Sequence, residues 1–421
     1  MKKFALLSAL LVSASFSFVS CGGAYSTTPQ TRVLASQSVT SPTAFGALIV
    51  IDGAIDTLAR AQVSAGTSPG LMVTSPQRSI LLAFDTASNN VEVVNTRNAS
   101  LAGAIQLPGP TTSMVALSTS FGYAAVPAAP MNNNVPPGAI VVMNLQAGGV
   151  AATISVPNAQ TVVASPDGTQ LLVFSGDSDV VTVISPLLVN TGVPYTATVP
   201  GFDRPVYAVF SSDGTTAYVL NCGPQCASGT ASASVQTLNL AALTLGPSVA
   251  VDGATIGWLS GSNLYVAGNS PTNNLCTGQT TAATSCGRLD IIDLGSLTVT
   301  GTAVITDGYH DRIDMSVNGQ LFIGSHTCTN IGNVNNVSGE VRGCLSIFNT
   351  TNNAVVIPPD NGDVTGLQSF TTRDVEYVAE GGNLRVYDTL IDSLLPPNNY
   401  IETGTIILIG QITDVKAIDF F

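Results

Sequence analysis

Only two histidines occur in the 421 residues, His310 and His326, and they flank Ser316-Val317-Asn318-Gly319. That tetrapeptide reads as a hairpin turn. A three-residue loop there pairs residues whose numbers sum to 636, which sets His310 opposite His326, beside Tyr309 and Asp311. Two imidazoles and a carboxylate can bind a transition metal or move protons near neutral pH. The plainer alternative is a pair of loop histidines with ordinary hydrogen bonds. A register slip of one residue would send the two rings to opposite faces of the sheet.

A second set of chemistry-bearing residues is acidic. Asp203, Asp252, Asp307 with Asp311, Asp360 with Asp363, and Asp414 recur where one apolar repeat gives way to the next. Carboxylates that converge without lysine neighbours attract a hard cation such as calcium, or a cationic ligand. Asp-Gly and Asp-Asn are also ordinary turn chemistry. No cofactor is required by this reading, and calcium is the one cation it points to.

The cysteines carry a third signal. Beyond Cys21 there are six, and they fall two by two: Cys222 and Cys226, Cys276 and Cys286, Cys328 and Cys344. Six cysteines allow 15 pairings, and locality favours three short-range bridges, each stapling one insertion. A zinc site or a redox-active Cys222/Cys226 dithiol are the competing readings; the wide spacings of the other pairs argue against zinc. No nucleophile elbow, zinc-protease helix or phosphate loop is present, so no catalytic residue is assigned. Trp258, the single tryptophan, falls in an apolar run and reads as core.

These residues sit on a repeat. Residues 162–185, VVASPDGTQLLVFSGDSDVVTVIS, read as an apolar run, a Pro-Asp-Gly turn and two alternating runs, and weaker copies recur along the chain. Turn glycines give the period: Gly168 to Gly214 is 46 residues and Gly214 to Gly261 is 47. About 40–50 residues with four strands is the length of one β-propeller blade. Seven complete units span 71–410, and the chain ends on an apolar first strand, TDVKAIDFF. GALIVIDGAIDTLARAQVSAG (46–66) supplies later strands, so the two ends share a blade and close the ring, which removes exposed sheet edges. The fold expected is an all-β propeller of seven or eight four-stranded blades over residues 46–421. The stapled insertions and the acids would then share one face and the mouth of the channel. Long ordered loops on a rigid ring commonly bind.

SPDGTQLLVFSGDSDVVTVI, SSDGTTAYVLN with SVQTLNLAALTLG, and NLYVAGN with RLDIIDLGSLTV resemble the repeats of YncE-like (YVTN-repeat) propellers. That resemblance implies a propeller fold and an exported protein, in a family that includes binding and scaffold proteins and lactonase-like propellers. It implies no particular activity.

Lys2 and Lys3 precede an apolar run, residues 4–20, ending at Cys21-Gly22-Gly23. Phe18-Val19-Ser20-Cys21 resembles a bacterial lipobox, which implies removal of residues 1–20 and lipidation of Cys21, with Gly22 favouring the outer membrane. Residues 21–45, rich in Ser, Thr and Pro, read as a flexible tether of roughly 25–30 Å. The formal charge of −13 with only three lysines, at 2, 3 and 416, repels nucleic acid phosphates. The leading expectation is a cell-envelope lipoprotein that binds a protein or small molecule through its stapled face without catalysis. The alternatives are a metal-dependent hydrolase of lactonase type and a structural surface or adhesion role.

Overall fold

The computed structural model describes residues 26–39, 45–131, 135–189, 191, 195–226, 229, 232–270, 286–328, 344–358 and 362–419. They form eight antiparallel sheets, each a blade. Seven follow the chain order, starting at Pro69–Thr74 (blade 1), Ser113–Ala116, Ala159–Ala164, Pro205–Phe210, Ile256–Ser260, Tyr309–Met315 and Val364–Ser369 (blade 7). In blade 7 the outer strand comes in two pieces, Ser393–Leu394 and Thr405–Ile406, both paired to Asn383–Asp388.

The closing blade joins the termini. Gln411–Ala417 is innermost, followed outward by Arg32–Ser38, Ala47–Asp52 and Thr57–Ser64. The seam pairs Val33 with Ala417 and is locked by an ion pair of Arg32 with Asp419 at 2.5 Å. Residues 32–38 were expected in the tether and are instead a strand of the ring, so the propeller begins before residue 46. The segment RVLASQS escapes a hydrophobicity reading because Ser36 and Gln37 are buried polar residues, Ser36 bonding Thr413 Oγ1 at 2.8 Å. Of the rest of the expected tether, residues 21–25 and 40–44 lie outside the described residues, and Ser26 is bonded to the blade.

Local chemistry sets the hairpins. In blade 3, Asp167 accepts from Ser165 Oγ at 2.6 Å and from Thr169 N at 3.1 Å, and Gly168 takes φ +68°. Ser211, Asp213 and Gly214 repeat that geometry in blade 4. These bonds hold both aspartates below the usual carboxylate range. Glycine adopts that φ at little cost, and the corresponding turn of blade 1 places Arg78 there at φ +49°.

The core lies between blades rather than in a common centre. Leu82, Phe84 and Val93 of blade 1 pack on Met114, Ala124 and Val141 of blade 2, and corresponding clusters fill each of the other interfaces. Closing the ring therefore completes the last interface. At the seam of blade 7 and the closing blade, buried Asp56 accepts from Arg373 Nη1 at 2.7 Å, Nη2 at 2.8 Å and Tyr377 Oη at 2.5 Å.

Candidate functional site

First strands run from what we call the upper face to the lower. Blade-to-blade connections and second-to-third strand loops therefore lie on the upper face. His326, at the upper end of the second strand of blade 6, faces Asp311 with Nε2 2.9 Å from Oδ1 and 3.1 Å from Oδ2. On its other side Asp363 Oδ2 lies 3.7 Å from Nδ1. Arg312 Nη1 donates to Asp311 Oδ2 at 3.0 Å, and Thr327 N donates to Asp363 Oδ1 at 2.8 Å. The Asp311 bond, working against burial, raises the imidazole above its ordinary pKa. Cys328 and Cys344 form a disulfide beside this cluster, with Cys344 Sγ 3.5 Å from Asp363 Oδ1.

His310 does not face His326. The expected register holds from Met315–Leu321 to Arg312–Gly324; then a bulge at Asp311 shifts it by one, pairing His310 with Ser325 and Tyr309 with His326. His310 is fully buried; its Nε2 donates to Thr306 O at 2.8 Å and its Nδ1 has no partner. Burial pushes its pKa down to about 4, so it stays neutral. The bulge that separates the histidines is what frees Asp311 to meet His326.

The acids do not converge on a single cation. Asp252 pairs with Arg288 Nε at 3.0 Å, and its backbone N donates to Asp290, whose carboxyl burial pushes up to about 6. Asp414 is buried, accepting from Met72 N of blade 1 at 2.7 Å and lying 3.2 Å from Lys416 Nζ. Asp307 is buried, its carbonyl accepting from Ser325 Oγ at 2.9 Å. Asp203 lies in the turn whose backbone meets Gly223. Among the described residues, no group of three or more His, Cys, Asp or Glu is placed to hold a metal. Asp360, Cys21 and Cys276 lie outside the described residues, as does the side chain of Cys286.

Cys222 and Cys226 are bonded. Their loop presents Gln225, whose Oε1 accepts from Asn269 N of blade 5 at 3.0 Å; Asn269 Nδ2 in turn donates to the Gly308 carbonyl at 2.6 Å. The staple thus clasps the upper edges of blades 4, 5 and 6. Two disulfides indicate an oxidising, exported location. No helix among the described residues is long and apolar enough to cross a membrane.

Sequence reasoning missed the channel wall. First strands of blades 1 to 5 line an open cavity of about 630 Å³, with Leu71, Val73, Val115, Val163, Phe210 and Trp258 in its wall. Trp258 packs on the blade interface and also borders this space. The signal was there: first strands such as Val162-Val163-Ala164 and Val209-Phe210 are apolar on consecutive residues, so one side chain of each pair has no core to enter. Blades 6 and 7 add charge at this centre. Arg312 Nε donates to the Thr365 carbonyl at 2.8 Å, and its charge opposes the rise that burial gives the Tyr207 phenol. Glu376 is fully buried, and burial together with the nearby Asp314 carboxylate pushes its pKa well up.

The chain matches no protein-family model and no curated protein sequence. Among solved structures it is similar to the dihydro-heme d1 dehydrogenase NirN in complex with DHE, at 13% identity and TM-score 0.61 over 90% of this chain and 76% of that one. A putative 6-phosphogluconolactonase from Bacteroides fragilis shows 11% identity and TM-score 0.54 over 94% and 100% of the two chains. The periplasmic gluconolactonase of Pseudomonas aeruginosa shows 14% and 0.50 over 92% and 98%. At these identities the likeness is one of fold, and the chain is an eight-bladed β-propeller.

Proposed function

We propose that this protein is an exported, lipid-anchored binding propeller of the YncE-like kind that takes a small apolar ligand into its channel. The observation that carries this reading is the wall of the 630 Å³ cavity, built from aliphatic and aromatic side chains of five blades. A volume of that size suits a drug-sized molecule, and apolar burial supplies affinity without a reacting group. Pairing of Asp252 with Arg288, and of Asp414 with Lys416 and the Met72 amide, supports a structural role for these two acids. Lipidation at Cys21 and residence in the outer membrane complete the reading.

Trp258 is a built-in reporter of the channel. Titration with long-chain fatty acids and polycyclic aromatics should give a saturable change in its emission and a raised melting temperature. A ligand at 100 times its dissociation constant stabilises by about 2.7 kcal/mol. Unchanged emission and melting across both series would overturn the proposal.

One observation favours a hydrolase as the second reading: His326 stands between Asp311 and Asp363 and is part-exposed on the upper face. An imidazole so placed can relay a proton to or from water. Turnover of sugar lactones that is lost in His326→Asn, with the fold intact, would move the assignment to this reading.

A further inference from the structure

The chain enters the fold from below. Ser26 N donates to the Leu58 carbonyl at 2.9 Å, its hydroxyl donates to Asp52 at 2.9 Å, and it pairs in parallel with Ala59. Thr57–Ser64, the outermost strand of the closing blade, runs from the lower face upward. A segment parallel to its beginning therefore arrives from the lower side. Cys21 stands only five residues before Ser26, a reach of at most about 17 Å. From Ser26 onward, the first described part of the expected tether is bonded to the closing blade.

Around this entry point the lower face carries exposed apolar side chains, with Asp374, Asp388 and Asp392 among them. Ile55 is 40% exposed, Tyr400 46%, Val317 54%, Ile391 60% and Leu390 63%. These residues lie in lower-face turns of the closing blade and of blades 6 and 7, or, for Tyr400, in the blade 7 insertion that meets Ile55. Hydrogen bonds fix the turns side by side. Arg373 binds Asp56, next to Ile55. Asn318, next to Val317, donates to Asp374 at 2.9 Å and to Thr389 Oγ1, next to Leu390, at 2.8 Å. Five apolar side chains are thus held by rigid hairpins on one side of the ring.

Resting on the lipid-anchored reading above, we propose that this lower face lies on the bilayer, with Leu390, Ile391, Val317, Ile55 and Tyr400 in the headgroup boundary. The occupant is a lipid surface because the short leash from Cys21 leaves the lower rim no other neighbour once the acyl chains are inserted. Shallow burial of apolar side chains is how surface-bound proteins supplement an anchor. Ile407 and Ile409 are equally apolar and more exposed, but they belong to the upper-face connection into Gln411–Ala417. A strand of eight residues puts that face roughly 25 Å higher. The stapled loops consequently point away from the membrane.

The test uses the full-length acylated protein in phosphatidylcholine vesicles with brominated acyl chains. Trp258→Phe removes the native tryptophan; Leu390→Trp and Ile409→Trp then each place one reporter. Emission from the Leu390→Trp variant should be quenched and blue-shifted, and that from the Ile409→Trp variant should not. Mass of the Cys21 peptide and vesicle flotation read the anchor separately. An unacylated Cys21 overturns the anchoring and this inference with it. Acylated, floating protein whose Leu390→Trp emission is unquenched, or whose Ile409→Trp emission is quenched instead, overturns the docking alone.

Discussion

Asp414 separates the structural account of the acidic residues from a cation-binding one. Its carboxylate is buried, accepts from Met72 N of the neighbouring blade at 2.7 Å, and lies 3.2 Å from Lys416 Nζ. In Asp414→Ala the Met72 amide loses its partner at a buried interface, costing about 1–3 kcal/mol, and Lys416 loses its counter-charge. Breaking a buried pair from one side costs about 3–5 kcal/mol in all. Asp414→Asn keeps an acceptor for the amide and removes only the charge, so about 1–2 kcal/mol is expected. An unfolding entropy of ~2.1 cal/mol/K per residue over roughly 390 residues is ~0.8 kcal/mol/K. The alanine variant should therefore melt ~4–6 °C lower and the asparagine variant ~1–3 °C lower, each by the same amount in EDTA and in millimolar calcium. Scanning calorimetry in both buffers reads this directly. A wild-type protein stabilised by calcium, with that increment abolished in Asp414→Asn, would refute the argument and restore the acids as a metal site.

Other consequences can be measured on the same footing. His326 has a raised pKa, so its contribution is fully present below about 6.5 and is lost as pH rises through the folded value. Melting temperature from pH 5 to 9 should fall less in His326→Asn than in the wild type, and parallel curves would remove the Asp311 contact from consideration. Glu376 is a buried acid with a raised pKa, so it costs stability once the unfolded chain ionises, above about pH 4.5. Glu376→Gln should therefore stabilise more at pH 8 than at pH 4.5 in urea titrations; the opposite order would contradict the burial. Replacing Cys328 and Cys344 by serine should cost about 3 kcal/mol and replacing Cys222 and Cys226 about 2 kcal/mol in the chain-entropy account. Hydrogen exchange should rise at Asn269 only in the second case, because only that staple holds Gln225 against blade 5.

What the sequence disclosed and what it hid divide along physical lines. The turns were legible because Ser165, Asp167 and Gly168 satisfy one another within four residues, and no distant contact is needed to predict them. The period and the shared closing blade followed from counting such turns. Arg32–Ser38 was hidden because its place in the ring depends on Gln411–Ala417, at the opposite end of the chain, and on polar residues whose partners lie there. The histidines show the limit most sharply. A hairpin register derived from one turn was correct for four residue pairs and then failed at Asp311, because a single bulged residue carries no local sequence mark. That failure had a chemical consequence. Had the register continued, two imidazoles would have faced each other, a metal-like pair; with the bulge, one imidazole is sealed neutral in the interface and the other is gripped by carboxylates at the mouth. The same residue types at the same spacing therefore support different chemistry, and only the backbone irregularity decides between them. It decides here for an electrostatic clamp on the upper face, in which His326 stands between Asp311 and Asp363.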